Sequence, residues 1–359
     1  MANKTIIGIT QGDTNGIGYE VIIKALSDAR MLDMCIPVIY GSSRFFGIHR
    51  KLIPETEQIA TNVINSVEDA RPKRINIINA VPDNLSIEIG QPTSDGARAA
   101  LAALDAAVRD AKRGALDAIV TAPFNKRTVA EIGFGFPGHT EYFINQFGAA
   151  DGLMFLCSNS FRVGIVTNHL PLSKVSAALT TENILSKLRL MNASLVNDFG
   201  LDRPKIAVLG LNPHAGDGGA LGSEEKEIIT PAIEAANAEN ILAFGPYPPD
   251  GFFGTYAQKK FDGVLAMYHD QGLIPFKTLV FNDGVNFTAG LSIVRVSPDH
   301  GTGFDIAGKN MAHPGSMLSA IWCACDFVRN RRNYAEYSKN PLEIKHFEGQ
   351  KYERTILPE

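Results

Sequence analysis

Cysteine is scarce in this chain, with four in 359 residues, at positions 35, 157, 323 and 325, and none in Cys-x-x-Cys spacing. That excludes a disulfide scaffold and a thiolate zinc site, and predicts reduced, mostly buried thiols. No apolar run is long enough to cross a bilayer as a helix. A basic surplus is also missing: 34 Lys and Arg stand against 38 Asp and Glu, a formal charge of −4. Broad neutralisation of nucleic-acid phosphates is thereby excluded, although local cationic pockets are not. There is no internal repeat and no low-complexity segment. The first residues, Met1-Ala2-Asn3-Lys4 and then Thr5 to Thr10, read as a lysine and a short β-branched strand rather than a signal peptide, so a cytoplasmic protein is expected.

What is present is the composition of a globular protein, 45% hydrophobic and 20% charged. The length fits two ordinary domains or one large α/β unit, with a cleft between lobes. Strand-like runs recur at residues 5–10, 36–40, 74–78, 118–121, 161–167, 205–211, 263–268, 279–281 and 293–296. Helical patterns lie between them at residues 18–27, 96–112, 181–198, 224–237 and 315–330. This alternation predicts α/β layers on a largely parallel sheet, with ligands beyond the carboxyl ends of its strands. Residues 81–95 read as a linker into an alanine-rich helix whose Ala97, Ala99, Ala100, Ala103, Ala106 and Ala107 suit close packing. The charged segment from Tyr334 to Glu359 is expected to wrap the surface.

Three strand-like runs each stop at a histidine followed by Pro or Gly: Val166-Thr167-Asn168-His169-Leu170-Pro171, Leu211-Asn212-Pro213-His214-Ala215-Gly216 and Met267-Tyr268-His269-Asp270-Gln271-Gly272. Neutral imidazole is the commonest nitrogen ligand of divalent metals, and a catalytic site takes about three protein ligands and leaves a position open. A single histidine after a strand is commonly structural; three in the same context predict imidazoles that gather at one sheet edge. The spacing matches neither a zinc finger nor His-Glu-x-x-His, so any such site is assembled by the fold.

Residues Gly8 to Glu20 give a strand, a glycine turn and an amphipathic helix. That turn either offers backbone N–H groups to an anion or packs the first helix on the sheet. It is not a Rossmann fingerprint, since no glycine follows Gly18 at the required place. Thr121 to Lys126 and Phe136 to Glu141 pair further turns with polar groups. There Thr140 reads as a helix N-cap and His139 as a donor to a phosphate. Lys277, Asn286 and Arg295 would suit a small phosphorylated acid if they converge on a cleft.

Several tracts together resemble the 4-hydroxythreonine-4-phosphate dehydrogenase family of pyridoxal phosphate biosynthesis. They are Gly12-Asp13 with Gly16-Ile17-Gly18 and Glu20, Gly138-His139-Thr140-Glu141, His169-Leu170-Pro171-Leu172, Gly210 to Gly216, Ala266 to Gly272, Gly284-Val285-Asn286 and Asp299-His300-Gly301-Thr302. The stretch from Asp299 to Pro314 is also similar to the nucleotide loop of isocitrate and isopropylmalate dehydrogenases. The resemblance implies an isocitrate/isopropylmalate dehydrogenase-like α/β fold of two α/β/α lobes with mixed, largely parallel sheets. The first lobe would hold residues 1–130 and about 290–359, the second about 131–289 with the dimer contacts.

It also implies NAD-dependent oxidation, NADP being the alternative, of 4-(phosphooxy)-L-threonine at C3. Loss of CO2 then leaves 3-amino-2-oxopropyl phosphate, in an active site completed across a homodimer. By motif, His169, His214 and His269 would hold a divalent metal (zinc, magnesium, cobalt or manganese). His139, Thr140, Lys277, Asn286 and Arg295 would bind substrate, and His300, Gly301, Thr302, Asp305, Ala307, Gly308 and Asn310 the dinucleotide. Lys126 and Asp270 are the candidate general bases. Thr14-Asn15 and Tyr19 replace a usual Pro-Ala pair and proline, and Thr121 to Lys126 differs from the usual Thr-Gly-Pro-x-His-Lys, which opens 4-phospho-threonate or 4-phospho-erythronate as alternative substrates. A metal-dependent hydrolase or aldolase on a phosphorylated substrate would use the same histidines without a nicotinamide cofactor.

Overall fold

The structure is a computed structural model that describes residues 4–56, 59–280 and 283–340. Its strands are β1 (Thr5–Thr10), β2 (Cys35–Gly41), β3 (Thr61–Ile64), β4 (Ile75–Asn79), β5 (Ala118–Thr121), β6 (Leu153–Cys157), β7 (Arg162–Thr167), β8 (Lys205–Leu209), β9 (Leu242–Tyr247), β10 (Gly263–Tyr268), β11 (Val285–Ala289) and β12 (Val294–Pro298). They form one 12-stranded sheet in the order β3-β4-β2-β1-β5-β12-β11-β6-β7-β10-β8-β9. Pairing is parallel except where β11 meets β12 and β6, and where β6 meets β7. The fold is thus mixed, largely parallel α/β, as the alternation of patterns predicts.

The near-continuous apolar strands follow from that architecture, because a parallel sheet is covered on both faces. In β1 only one of six residues is not buried. The helix Ser94–Lys112 lays its buried alanines, Ala97, Ala100, Ala103 and Ala107 among them, against Val38, Tyr40 and Ile119 of the sheet. The helices Gly18–Leu26 and Gly315–Tyr337 pack on the opposite cluster, with Ile22, Met317 and Ile321 fully buried. The cysteines are free, and three of the four are buried.

Four strands escape the sequence patterns. β6 is Leu-Met-Phe-Leu-Cys, with neither alternation nor β-branching; β3 has four residues; β9 contains Gly-Pro; and β11, Val-Asn-Phe-Thr-Ala, follows a segment expected to be a strand itself. That segment, residues 279–281, is not a strand where it is described, since Leu279 ends the helix His269–Leu279, while Phe281 lies outside the described residues. Of the tail expected to wrap the surface, Tyr334–Tyr337 continue the last helix, and residues 341–359 lie outside the described set.

The central antiparallel strands matter for the site. They reverse the sheet, so the carboxyl ends of β7, β10 and β8 emerge at the edge opposite to those of β1, β5 and β12.

Candidate active site

Side-chain alternation puts a polar row on one face of these central strands. Asn286 on β11 lies opposite Ser297 on β12, and Thr288 lies opposite Met154 on β6. Arg295, two residues before Ser297 and therefore on the same face, donates to Thr121 Oγ1 at 2.7 Å and Thr288 Oγ1 at 3.1 Å. Over this row lies a cavity of about 280 Å³ lined by Thr121, Lys126, His139, Thr140, Glu141, His169, Lys277, Asn286, Arg295, Asp299 and His300, among others. Five residues expected to bind substrate therefore meet, with Lys126 beside them. Asn286 and Arg295 stand on strands, while Lys126, His169, Asp299 and His300 come from the segments after the carboxyl ends of β5, β7 and β12, so the cavity spans the sheet face and those strand ends.

Arg295 dominates the electrostatics. It is 2% exposed and forms no ion pair among the described residues, and its Nε has no hydrogen-bond partner. Burial pulls the guanidinium down to about 9, with only the charge of Glu141 opposing. Asn286 Oδ1 and His300 Nε2, both in the same cavity, also lack partners. A buried cation beside unsatisfied polar groups is costly unless an anion completes it.

His139 opens the helix His139–Phe147 and stacks on Phe124 at 3.9 Å between centroids. Desolvation, then the charges of Arg295 and Lys126, hold it well below the usual imidazole range, so it is neutral. Thr140 is not the N-cap: Gly138, extended at φ −175°, takes that position without a side-chain bond. The helix starts two residues earlier than a Thr140 cap implies, and Thr140 lines the cavity. Lys277 pairs with Asp299 at 3.3 Å.

The three strand-end histidines follow the same ends of three adjacent parallel strands, as expected, yet only two meet. His169 and His269 have ring centroids 5.8 Å apart. His214 faces a separate 730 Å³ cavity with Tyr268, Asp270 and Gln271, and no group of three or more His, Cys, Asp or Glu close enough to hold an ion exists among the described residues. The reason lies in the loop: His214, Ala215, Gly216, Asp217 and Gly218 all have positive φ, a left-handed turn that swings the imidazole aside. Glu225, 5% exposed, pins this loop by accepting from Leu211 N (2.8 Å), Asn212 N (2.7 Å) and Asn212 Nδ2 (3.0 Å).

Asp270, a candidate base, lies against His269, whose Nδ1 is 2.7 Å from its carboxylate, a contact that also suits it to orient that ring. In kind, the donors suit a divalent cation. Burial and the charge of Lys126 hold His169 below its usual value, in the neutral ligating form.

The first glycine turn is resolved in favour of packing. Its amides are consumed internally: Asp13 N by Pro123 O (2.9 Å), Asn15 N by Asp13 Oδ1 (3.0 Å), Gly16 N by Asp13 O (3.1 Å) and Ile17 N by Thr302 O (2.9 Å). The last bond joins it to the loop after β12. That loop carries His300, Gly301, Thr302, Asp305, Ala307, Gly308 and Asn310, with Gly303, Gly308 and Asn310 at positive φ. Its far end is tied to the first helix, where Lys24 Nζ donates to Ala312 O at 2.9 Å and Ala312 N to Glu20 Oε1 at 2.8 Å. Of these seven residues, His300 and Gly301 reach the cavity.

The family model described as "Pyridoxal phosphate biosynthetic protein PdxA" matches residues 33–324. The chain belongs to the PdxA family. A 4-hydroxythreonine-4-phosphate dehydrogenase of Bacteroides thetaiotaomicron is 47% identical over 347 residues, covering 96% of this chain and 95% of the relative. One from Sulfurihydrogenibium is 40% identical, covering 91% and 99%. The crystal structure of the Klebsiella pneumoniae dehydrogenase superposes with a TM-score of 0.79 at 34% identity, covering 90% of this chain and all of that one. A Burkholderia phymatum structure gives 0.76 at 36%, covering 90% and 98%. Membership in PdxA places the chain in pyridoxal phosphate biosynthesis. No helix among the described residues is long and apolar enough to cross a membrane.

Sequence reasoning passed over three PdxA-site features: Asp299 and Glu141 in the cavity, and Glu225 beneath the His214 loop. A buried glutamate just after a Gly-rich turn was the available signal for the last. The first two lie within the tracts Asp299-His300-Gly301-Thr302 and Gly138-His139-Thr140-Glu141, with no role assigned to them there.

Proposed function

We propose that this PdxA chain oxidises 4-(phosphooxy)-L-threonine at C3 with NAD and releases CO2 to leave 3-amino-2-oxopropyl phosphate, as a cytoplasmic homodimer. The single observation that supports this most is the buried Arg295, whose unpartnered Nε shares a cavity with Asn286, Lys277 and a neutral His139. A phosphate dianion supplies what that buried charge lacks. Lys277 and Asn286 would fix the phosphate from the other side. Thr140 and His139 would orient the chain of the substrate, and the stack on Phe124 keeps the imidazole in one plane.

His169 and His269 would hold a divalent metal, which when bound lowers the pKa of the substrate hydroxyl and polarises the ketone during decarboxylation. His214 would complete the set from a second copy, for which the exposed Tyr256, Ile274 and Leu279 around its cavity offer an apolar contact surface. Lys126, exposed at the cavity rim with its Cε 3.6 Å from where a Cβ on Gly138 would stand, is the candidate to take the hydroxyl proton. The loop from His300 to Asn310 would hold the dinucleotide. The division into lobes, residues 1–130 with about 290–359 and about 131–289, is supported among the described residues by the sheet order, in which β1 to β5 and β12 lie on one side and β6 to β11 on the other.

The test is turnover. Metal-replete enzyme given 4-(phosphooxy)-L-threonine and NAD should form NADH and CO2, and a chelator should stop both. Product release without NAD would favour a hydrolase or aldolase, and turnover only of 4-phospho-threonate or 4-phospho-erythronate would reassign the substrate.

A further inference from the structure

Two carboxylates in the cavity, Glu141 and Asp299, have no part in the scheme above, and of these Asp299 makes an ion pair with a residue that does. Asp299 sits at the joint between the cavity's two halves: it is the first residue of the loop after β12, and its Oδ2 meets Lys277 Nζ, from the helix His269–Leu279, at 3.3 Å. Its backbone is held in place, because Asp299 N donates to Ser316 Oγ at 2.9 Å and that hydroxyl donates to Gly284 O at 2.6 Å, just ahead of Asn286. The side chain is largely enclosed, 18% exposed against 44% for Lys277. Next along the chain, His300 presents an unpartnered Nε2 to the same cavity.

We propose that Asp299 is a positioning residue through which phosphate and dinucleotide sense each other, by way of its ion pair with Lys277. The inference rests on the dehydrogenase reading. In the free enzyme the lysine masks the carboxylate. When a phosphate dianion draws on the Lys277 ammonium, the Asp299 charge is unmasked beside the loop that receives the dinucleotide. A cationic, oxidised nicotinamide ring then gains an anion that a neutral, reduced ring does not use. Phosphate should therefore tighten NAD+ more than NADH, which loads the enzyme for oxidation and loosens it afterwards. Coupling of this kind is reciprocal and is bounded by the strength of one partly exposed ion pair.

The experiment measures the dissociation constants of NAD+ and NADH by calorimetry on the purified protein, with and without saturating inorganic phosphate. Wild type should show about fivefold tightening of NAD+ by phosphate and a smaller effect on NADH. In Asp299→Asn the NAD+ factor should fall to about one, with phosphate-free NAD+ affinity held within about threefold. Lys277→Met breaks the same pair from the other side and should abolish the coupling wherever phosphate still saturates. A wild type without coupling, or variants that retain it, overturns the proposal. A wild type that binds neither dinucleotide overturns the dehydrogenase reading, and this inference falls with it.

Discussion

Replacing Arg295 with methionine separates what a buried cation does for folding from what it does for a ligand. A guanidinium pulled down to about 9 by burial reports a desolvation cost of roughly 5 kcal/mol in the empty enzyme. Because the folded value lies below the unfolded one, that cost is complete at neutral pH and is relieved only as pH rises past about 9. Against it stand two hydrogen bonds, to Thr121 and Thr288, worth about 1 kcal/mol each. Arg295→Met removes both contributions, so the empty variant should be more stable than wild type by roughly 3 kcal/mol. The same change should raise KM for the phosphorylated substrate about 100-fold or more, by loss of charge-assisted bonds worth roughly 3 kcal/mol together. The assay is thermal unfolding with and without inorganic phosphate: wild type rises in Tm with phosphate, whereas the variant starts higher and does not respond. A variant that is less stable than wild type yet keeps the phosphate response would refute the assignment of Arg295 to an anion.

Three other outcomes follow from particular contacts. Asp270→Asn weakens the orientation of His269 and should lower metal affinity 10- to 100-fold, read by competition with a chromogenic chelator, with phosphate binding unaltered. Asp13 is 1% exposed and burial pushes its carboxyl up to about 6, so the folded state holds its proton more tightly; that stability is full below the ordinary carboxylate value and lost as pH rises through about 6. Asp13→Asn should accordingly stabilise the protein by about 3 kcal/mol at neutral pH and by well under about 1 kcal/mol near about pH 4, seen as converging Tm curves. Gly12→Ala places a Cβ 2.3 Å from Pro123 O at a φ of +69°, and should cost more than about 3 kcal/mol by chemical denaturation.

Local patterns carried much of the fold. β-branched runs marked β1, β2, β5, β7, β8 and β10 to within a residue or two, since fully buried parallel strands need no alternation. β6, β11 and β9 were lost for lack of such runs, and with β6 and β11 went the antiparallel centre that turns the sheet over. That centre adds the face of β11 and β12 to a cavity whose other lining residues follow the carboxyl ends of β5, β7 and β12. The anion-binding residues were legible as types, but their convergence depends on register: Arg295 joins Thr288 and Asn286 only through the β11 and β12 pairing. His214 shows the converse. Its motif context matched that of His169 and His269, whereas the left-handed turn from His214 to Gly218, held by Glu225 some ten residues on, is written in no local propensity.

The central claim is that the cavity over β11 and β12 takes the phosphate of the substrate, and a crystal structure with 4-(phosphooxy)-L-threonine bound in the absence of dinucleotide tests it most directly. The account predicts phosphate oxygens within hydrogen-bonding distance of Arg295 Nε and Lys277, with the hydroxyl end toward His169 and His269. A phosphate seated elsewhere, with Arg295 Nε still unpartnered, would contradict it.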